Sequence, residues 1–102
     1  MSIMFTKAII TRLQREIADI ETKTINEKKK QEKAESKINQ LQRDMKLSKT
    51  HSELNNKMAR INKLNEEIKN AKRSQIDLSK QLTTKKASLK QHFDKEAKQE
   101  QQ

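Results

Sequence analysis

Ser48-Lys49-Thr50-His51-Ser52-Glu53 decides the fold of this chain, because it separates two heptad patterns that do not join. Upstream, apolar residues recur at alternating spacings of three and four. Position a falls on Ile10, Ile17, Thr24, Gln31, Ile38 and Met45, and position d on Leu13, Ile20, Glu27, Ala34 and Leu41. Downstream, a falls on Leu54, Ile61, Ile68, Gln75, Leu82 and Leu89, and d on Leu64, Ala71, Leu78 and Lys85. An average spacing of 3.5 residues holds one stripe of an α-helix against a partner helix. Met45 and Leu54 are nine residues apart where seven would preserve the phase, so the stretch between them resets the seam.

The reset reads as a chain reversal. Ser48, Thr50 and Ser52 are residue types that cap helices. Thr50-His51-Ser52-Glu53 has capping-box spacing, in which the hydroxyl accepts from an orphan amide and Glu53 reaches back. Each flank runs for about 45 residues, or roughly 67 Å of helix. Folding back so that partner numbers add up to 98 or 99 sets Met45 beside Leu54, Ile38 beside Ile61, Ala34 beside Leu64 and polar Thr24 beside polar Gln75. The expected fold is all-α: a long antiparallel two-helix coiled-coil hairpin filling one domain, 1–102. Its helices cover about 3–47 and 53–98, with the turn at 48–52. The rival is one continuous rod in a parallel dimer, with the break as a stutter. It draws its support from the lack of Gly at the reversal.

Composition agrees with helix throughout. The chain has no Gly and no Pro, its only aromatics are Phe5 and Phe93, and 37% of its residues are charged. Hydrophobic residues make up 30%, against roughly 45–50% in ordinary domains on a count that also includes Gly. That is enough for a narrow seam and too little for a broad core. No stretch has the length and apolarity of a membrane span, and Met1–Ile10 lacks the features of a secretory leader. A cytoplasmic location is therefore expected. With no cysteine, disulfides and thiolate chemistry are excluded.

The formal net charge is +10, from 24 basic against 14 acidic side chains, and each half of the chain holds 12 and 7 of them. An even spread fits two solvated helices better than a dedicated nucleic-acid arm. Lys28, Lys29 and Lys30, extended by Lys33 and Lys37, form a candidate weak anion patch. Three consecutive lysines point around a helix, and the residues that read or stack on bases are scarce. Contact with nucleic acid or an anionic surface through this patch would be electrostatic and salt-dependent.

Nothing in the sequence assembles a catalytic or metal site, so no cofactor and no small-molecule substrate are expected. His51 lies in the turn and His92 beside Asp94 and Glu96, where solvated or structural roles are the simplest account. Pairs such as Glu53–Lys57, at i and i+4, favour helix and solubility. Self-association is the leading function, through the seam of Ile10, Leu13, Ile17, Ile20, Ala34, Ile38, Leu41, Met45, Leu54, Ile61, Leu64, Ile68, Ala71, Leu78, Leu82 and Leu89. Ile25, Leu47 and Met58 fall outside a and d and widen the apolar stripe. A second hairpin meeting Ile25 and Met58 would make a homodimeric four-helix bundle; partial shielding at a helix flank is the alternative. Asp at Ile38 or Ile61 is expected to dissolve the assembly.

Ser36-Lys37-Ile38-Asn39-Gln40-Leu41-Gln42, then Lys49-Thr50-His51-Ser52 and Leu54 with Lys57, resembles the N-terminal coiled-coil region that precedes the catalytic domain in bacterial TIR-domain proteins. Glu27–Lys37 and Ile61–Ile68 fit the same pattern, and the likeness covers approximately residues 16–98. His51 and the missing Pro depart from it, since family members often carry a second Thr-Ser element there. The resemblance implies a self-associating region attached to a TIR domain that hydrolyses NAD in anti-phage defence or virulence. This chain has no room for that domain, so the resemblance assigns no catalytic residue here. Gln99–Gln102 close the sequence on a polar run, which suits a lead into another domain.

Overall fold

The structure, a computed structural model, describes residues 3–101; the first two residues and the last of the expected 1–102 domain lie outside the described residues. Helix α1 (Ile3–Met45) and helix α2 (His51–Gln101) are joined by residues 46–50 into an antiparallel helical hairpin. Cross-helix partners meet in reverse chain order: Thr6 with Gln99, Gln31 with Gln75, Ser48 with Lys57. A continuous rod would hold none of these contacts. With no Gly or Pro to break them, the helices also absorb their threonines. The hydroxyls of Thr11, Thr22, Thr24, Thr83 and Thr84 each donate to the carbonyl four residues back.

Packing divides into two units. The terminal unit comprises Met1–Thr24 and Ile76–Gln102, and the turn unit Ile25–Gln75. In the terminal unit Ile10, Leu13, Ile17, Ile20 and Leu78 are buried along the seam, and Thr6 is wholly buried near its open end. In the turn unit Ala34, Ile38, Leu41 and Leu64 form the core cluster, with Ile61 and Ile68 packed against it. Each fully buried Ile or Leu contributes about 1.5–3 kcal/mol, so a few such layers carry each unit.

The register differs from the one the seam residues suggest. The polar pairs across the helices are Asp44–Lys57, Glu16–Lys85, Lys7–Glu96, Ser48–Lys57, Thr6–Gln99 and Gln31–Gln75, whose numbers add up to between 101 and 106. Thr24 does not serve as the partner of Gln75: its hydroxyl donates to Ile20 O at 2.8 Å, while Gln75 Nε2 donates to Gln31 Oε1 at 2.7 Å. The contacts fit a layer scheme in which each a lies level with a d, such as Ile38 with Leu64 and Leu41 with Ile61. The reason is geometric. Antiparallel helices traverse the a-to-d step of three residues in opposite directions, so steps of equal length coincide only when a faces d.

The turn is where the cap places it, and the helix limits shift accordingly. α1 ends at Met45 rather than about 47, because the Lys46, Leu47 and Ser48 amides bond three residues back, to Arg43, Asp44 and Met45. α2 starts at His51 rather than about 53, because Thr50 is its N-cap. Glu53 N–H donates to Thr50 Oγ1 at 3.1 Å, and Glu53 Oε2 accepts from Lys49 N–H at 3.2 Å, one residue before the cap itself. Ser52 lies inside the helix. No non-Gly residue among those described has a positive φ, so this reversal needs no Gly. Thr50→Ala removes the acceptor and is expected to cost about 1 kcal/mol, read as a lowered urea midpoint, while Thr50→Ser should stay close to the parent.

Candidate self-association surface

All sixteen apolar residues of the expected seam are shielded, and what shields them is the other helix of the same chain. Ile10, Leu13, Ile17, Ile20, Ala34, Ile38, Leu41, Leu64, Ala71 and Leu78 are buried; Met45, Leu54, Ile61, Ile68, Leu82 and Leu89 are half-buried. An Asp at Ile38 or Ile61 therefore strikes folding of the hairpin before it can strike any assembly. A surface for a second molecule has to be sought outside the seam.

Polar residues enter the seam with partners. Lys57, at a d position, donates to Asp44 O at 3.4 Å and to Ser48 Oγ, while the Ser48 hydroxyl donates to Asp44 O at 3.2 Å. Lys57 and Glu53 are thus engaged across the turn and at the cap, not with each other as their i,i+4 spacing suggests. In the terminal unit Lys85 forms an ion pair with Glu16 Oε2, and Arg12 Nε lies 3.4 Å from Glu16 Oε1. The hydrogen bond from Lys85 and the two positive charges hold the Glu16 carboxyl below its ordinary range against a smaller opposing effect of burial. A depressed pKa gives stability that is full above the ordinary value, about 4.3, and is lost as pH falls through the lower folded value. Glu16→Gln is therefore expected to be less stable than the parent at pH 7 and to converge with it in strong acid. Urea midpoints at several pH values check this, and a gap that persists unchanged in acid contradicts it.

His92 is half-buried at the next d position after Lys85, and its Nδ1–H donates to Ser88 O at 2.8 Å. Glu96, read from the sequence as its solvated neighbour, instead lies 4.0 Å from Lys7 across the pair. His51 is exposed at the first turn of α2. No group of three His, Cys, Asp or Glu side chains able to hold a metal ion occurs among the described residues. Open recesses lie beside Glu16, Lys23 and Lys85, and beside Glu27, Lys30 and Glu67, all lined mainly by charged and amide groups. Both are open to solvent, so neither would desolvate a reacting group.

Beside the seam, the two flanks differ. Continuing the heptads, five of the twelve g positions from 9 to 44 and from 60 to 95 are half-buried, namely Ile9, Glu16, Asp44, Ser74 and Ser88, and the other seven are exposed, whereas the e positions from 7 to 42 and from 58 to 93 are all exposed. The large exposed apolar side chains favour the open flank. In the turn unit these are Ile25 at b, 54% exposed, and Met58 at e, 50% exposed. In the terminal unit Met4 and Ile76 at b and Phe93 at e occupy it, with Phe5 the exception at c. Leu47, at 79% exposure, lies in the turn itself. The basic run is spread around α1, with Lys28, Lys29, Lys30, Lys33 and Lys37 all exposed and Lys30 paired to Glu27 at 3.2 Å.

Two features were absent from the sequence reading. Thr6 occupies the d position one heptad before Leu13, and its wholly buried hydroxyl donates to Gln99 Oε1 at 3.3 Å. Counting the heptad back past Ile10 would have found it. Glu16 sits at g, and only the a-to-d register brings Lys85 level with it. No helix among the described residues is long and apolar enough to cross a membrane. No family model, no curated protein and no solved structure matches this chain.

Proposed function

We propose that this chain is a non-enzymatic coiled-coil module that self-associates and thereby holds an attached effector domain in a homo-oligomer. By resemblance, that effector is a TIR NAD hydrolase domain in a longer protein. The observation that carries the reading is the exposed apolar set on the e and b positions. The intrachain seam already satisfies a and d, yet Ile25 and Met58 in the turn unit keep about half of their surface in water. Apolar residues left in water at helical spacing are what a further helix would cover. Sedimentation equilibrium at about 100 μM, where an association free energy of about −5.5 kcal/mol is half-expressed, should show a dimer or small oligomer. A monomer at that concentration overturns the proposal.

A second reading has its own support in the exposure of all five lysines of the candidate anion patch. As an electrostatic binder of nucleic acid or an anionic surface, the chain should shift a nucleic-acid probe at about 50 mM salt and release it at about 200 mM. No shift at the lower salt removes that reading.

A further inference from the structure

Glu32 and Glu35 occupy b and e on the open flank of α1, and Lys69 and Lys72 occupy b and e on the same flank of α2. All four are exposed. The register places Glu32 level with Lys69, since their numbers add up to 101, like those of Asp44 and Lys57. Both positions lie outside the a/d seam, and among the described residues none of the four has an ion-pair partner. Lys28, the e residue one turn before Glu32, is exposed on this flank too and level with Lys72, so here α1 carries a net single negative charge against two positive charges on α2.

We propose that a second copy of this chain docks on this flank of the turn unit, α1 of each copy against α2 of the other, about a twofold axis parallel to the helices. The proposal rests on the self-association reading and names its surface. A twofold in that direction exchanges the two helices, so Glu32 of one copy faces Lys69 of the other, with Glu35 and Lys72 to either side and Lys28 the one like charge level with Lys72, and the same contacts recur by symmetry. Reversing one copy end for end would set α1 against α1 and bring the acids of both copies onto one pair of helices. The charges therefore select the parallel arrangement.

The rest of the flank fits a covered surface. Toward the turn its e and b positions are Asn39, Gln42, Asn55, Asn62 and Asn65 around Met58, an uncharged run in a chain that is 37% charged. Amides can pair with amides across an interface, and no isolated charge has to leave water there. Ile25 and Met58 supply apolar anchors at opposite ends of the acid–base cluster.

Charge reversal tests this in the full chain at about 0.15 M salt, where exposed charges farther apart than roughly 8 Å are screened. E32K/E35K is expected to weaken homodimerisation at least about tenfold, and K69E/K72E likewise. An equimolar mixture of the two should restore a heterodimer, because one copy is then basic and the other acidic on this flank. E66K/D77K adds the same positive charge off the flank and should leave dimerisation within about threefold of the parent. Circular dichroism should be unchanged in all of them, since every substituted residue is exposed. If the reversed variants dimerise as the parent does, or their mixture fails to pair, this surface is wrong while self-association stands. A monomeric parent chain removes the self-association reading itself.

Discussion

Replacing Ile38 by Asp is expected to unfold the turn unit. Ile38 sits in the cluster of Ala34, Leu41 and Leu64, 9% exposed, and Ile61 and Ile68 close over the same cluster. Truncating such a residue to Ala costs about 2–5 kcal/mol from lost burial and the cavity left behind. A carboxylate adds the penalty of a charge with no partner in an apolar layer. Against a typical stability of about 5–15 kcal/mol, this removes most or all of the folded population. Thermal melts followed by circular dichroism should show the midpoint falling by more than about 12 °C, or no cooperative melt at all. Ser36→Asp, an exposed change two residues away, should move stability by no more than about 0.5 kcal/mol. Equal behaviour of the two variants would mean that the seam does not hold the hairpin.

The contrast between these two positions is legible in the sequence. Ser36 and Ile38 differ in heptad position, and a 3.5-residue repeat sustained over two long segments leaves little choice about which side is covered. The reversal was also legible, because Thr50 and Glu53 sit at cap spacing where the phase breaks. Which layer faces which was not. Ile38 opposite Ile61 and Ile38 opposite Leu64 both join apolar to apolar, so hydrophobic pattern alone does not separate registers one layer apart. The opposite running of the a-to-d steps separates them, and the polar groups agree: Gln75 reaches Gln31, and Lys57 reaches Asp44 and Ser48. Those side chains are long, and their partners depend on helix orientation rather than on composition. The same limitation hid the open flank. Ile25 and Met58 stand out in the sequence as misplaced apolar residues, but their common side is visible only once both helices have a register.

The second large effect is a distance. Spin labels at Thr11 and Lys90, both exposed b positions within the terminal unit, are expected to lie on the order of 20 Å apart. Packed helices run about 8–10 Å between axes, and the labels project outward from both. A continuous helix through the same two positions would separate them by roughly 118 Å at a rise of 1.5 Å per residue. Doubly labelled chain diluted with an excess of unlabelled chain isolates the intramolecular distance from any contributed by a second copy. Lys90 is preferred to Ser88, which is half-buried and would perturb the packing it reports. A long distance in the diluted sample would overturn the fold-back, and with it the pairing of Thr6 with Gln99 and of Glu16 with Lys85. A short distance in Ile38→Asp as well would mean that the terminal unit holds together without the turn unit, as two separately packed cores allow. Loss of the short distance in that variant would make the hairpin one cooperative fold, in which the terminal layers depend on the turn being closed.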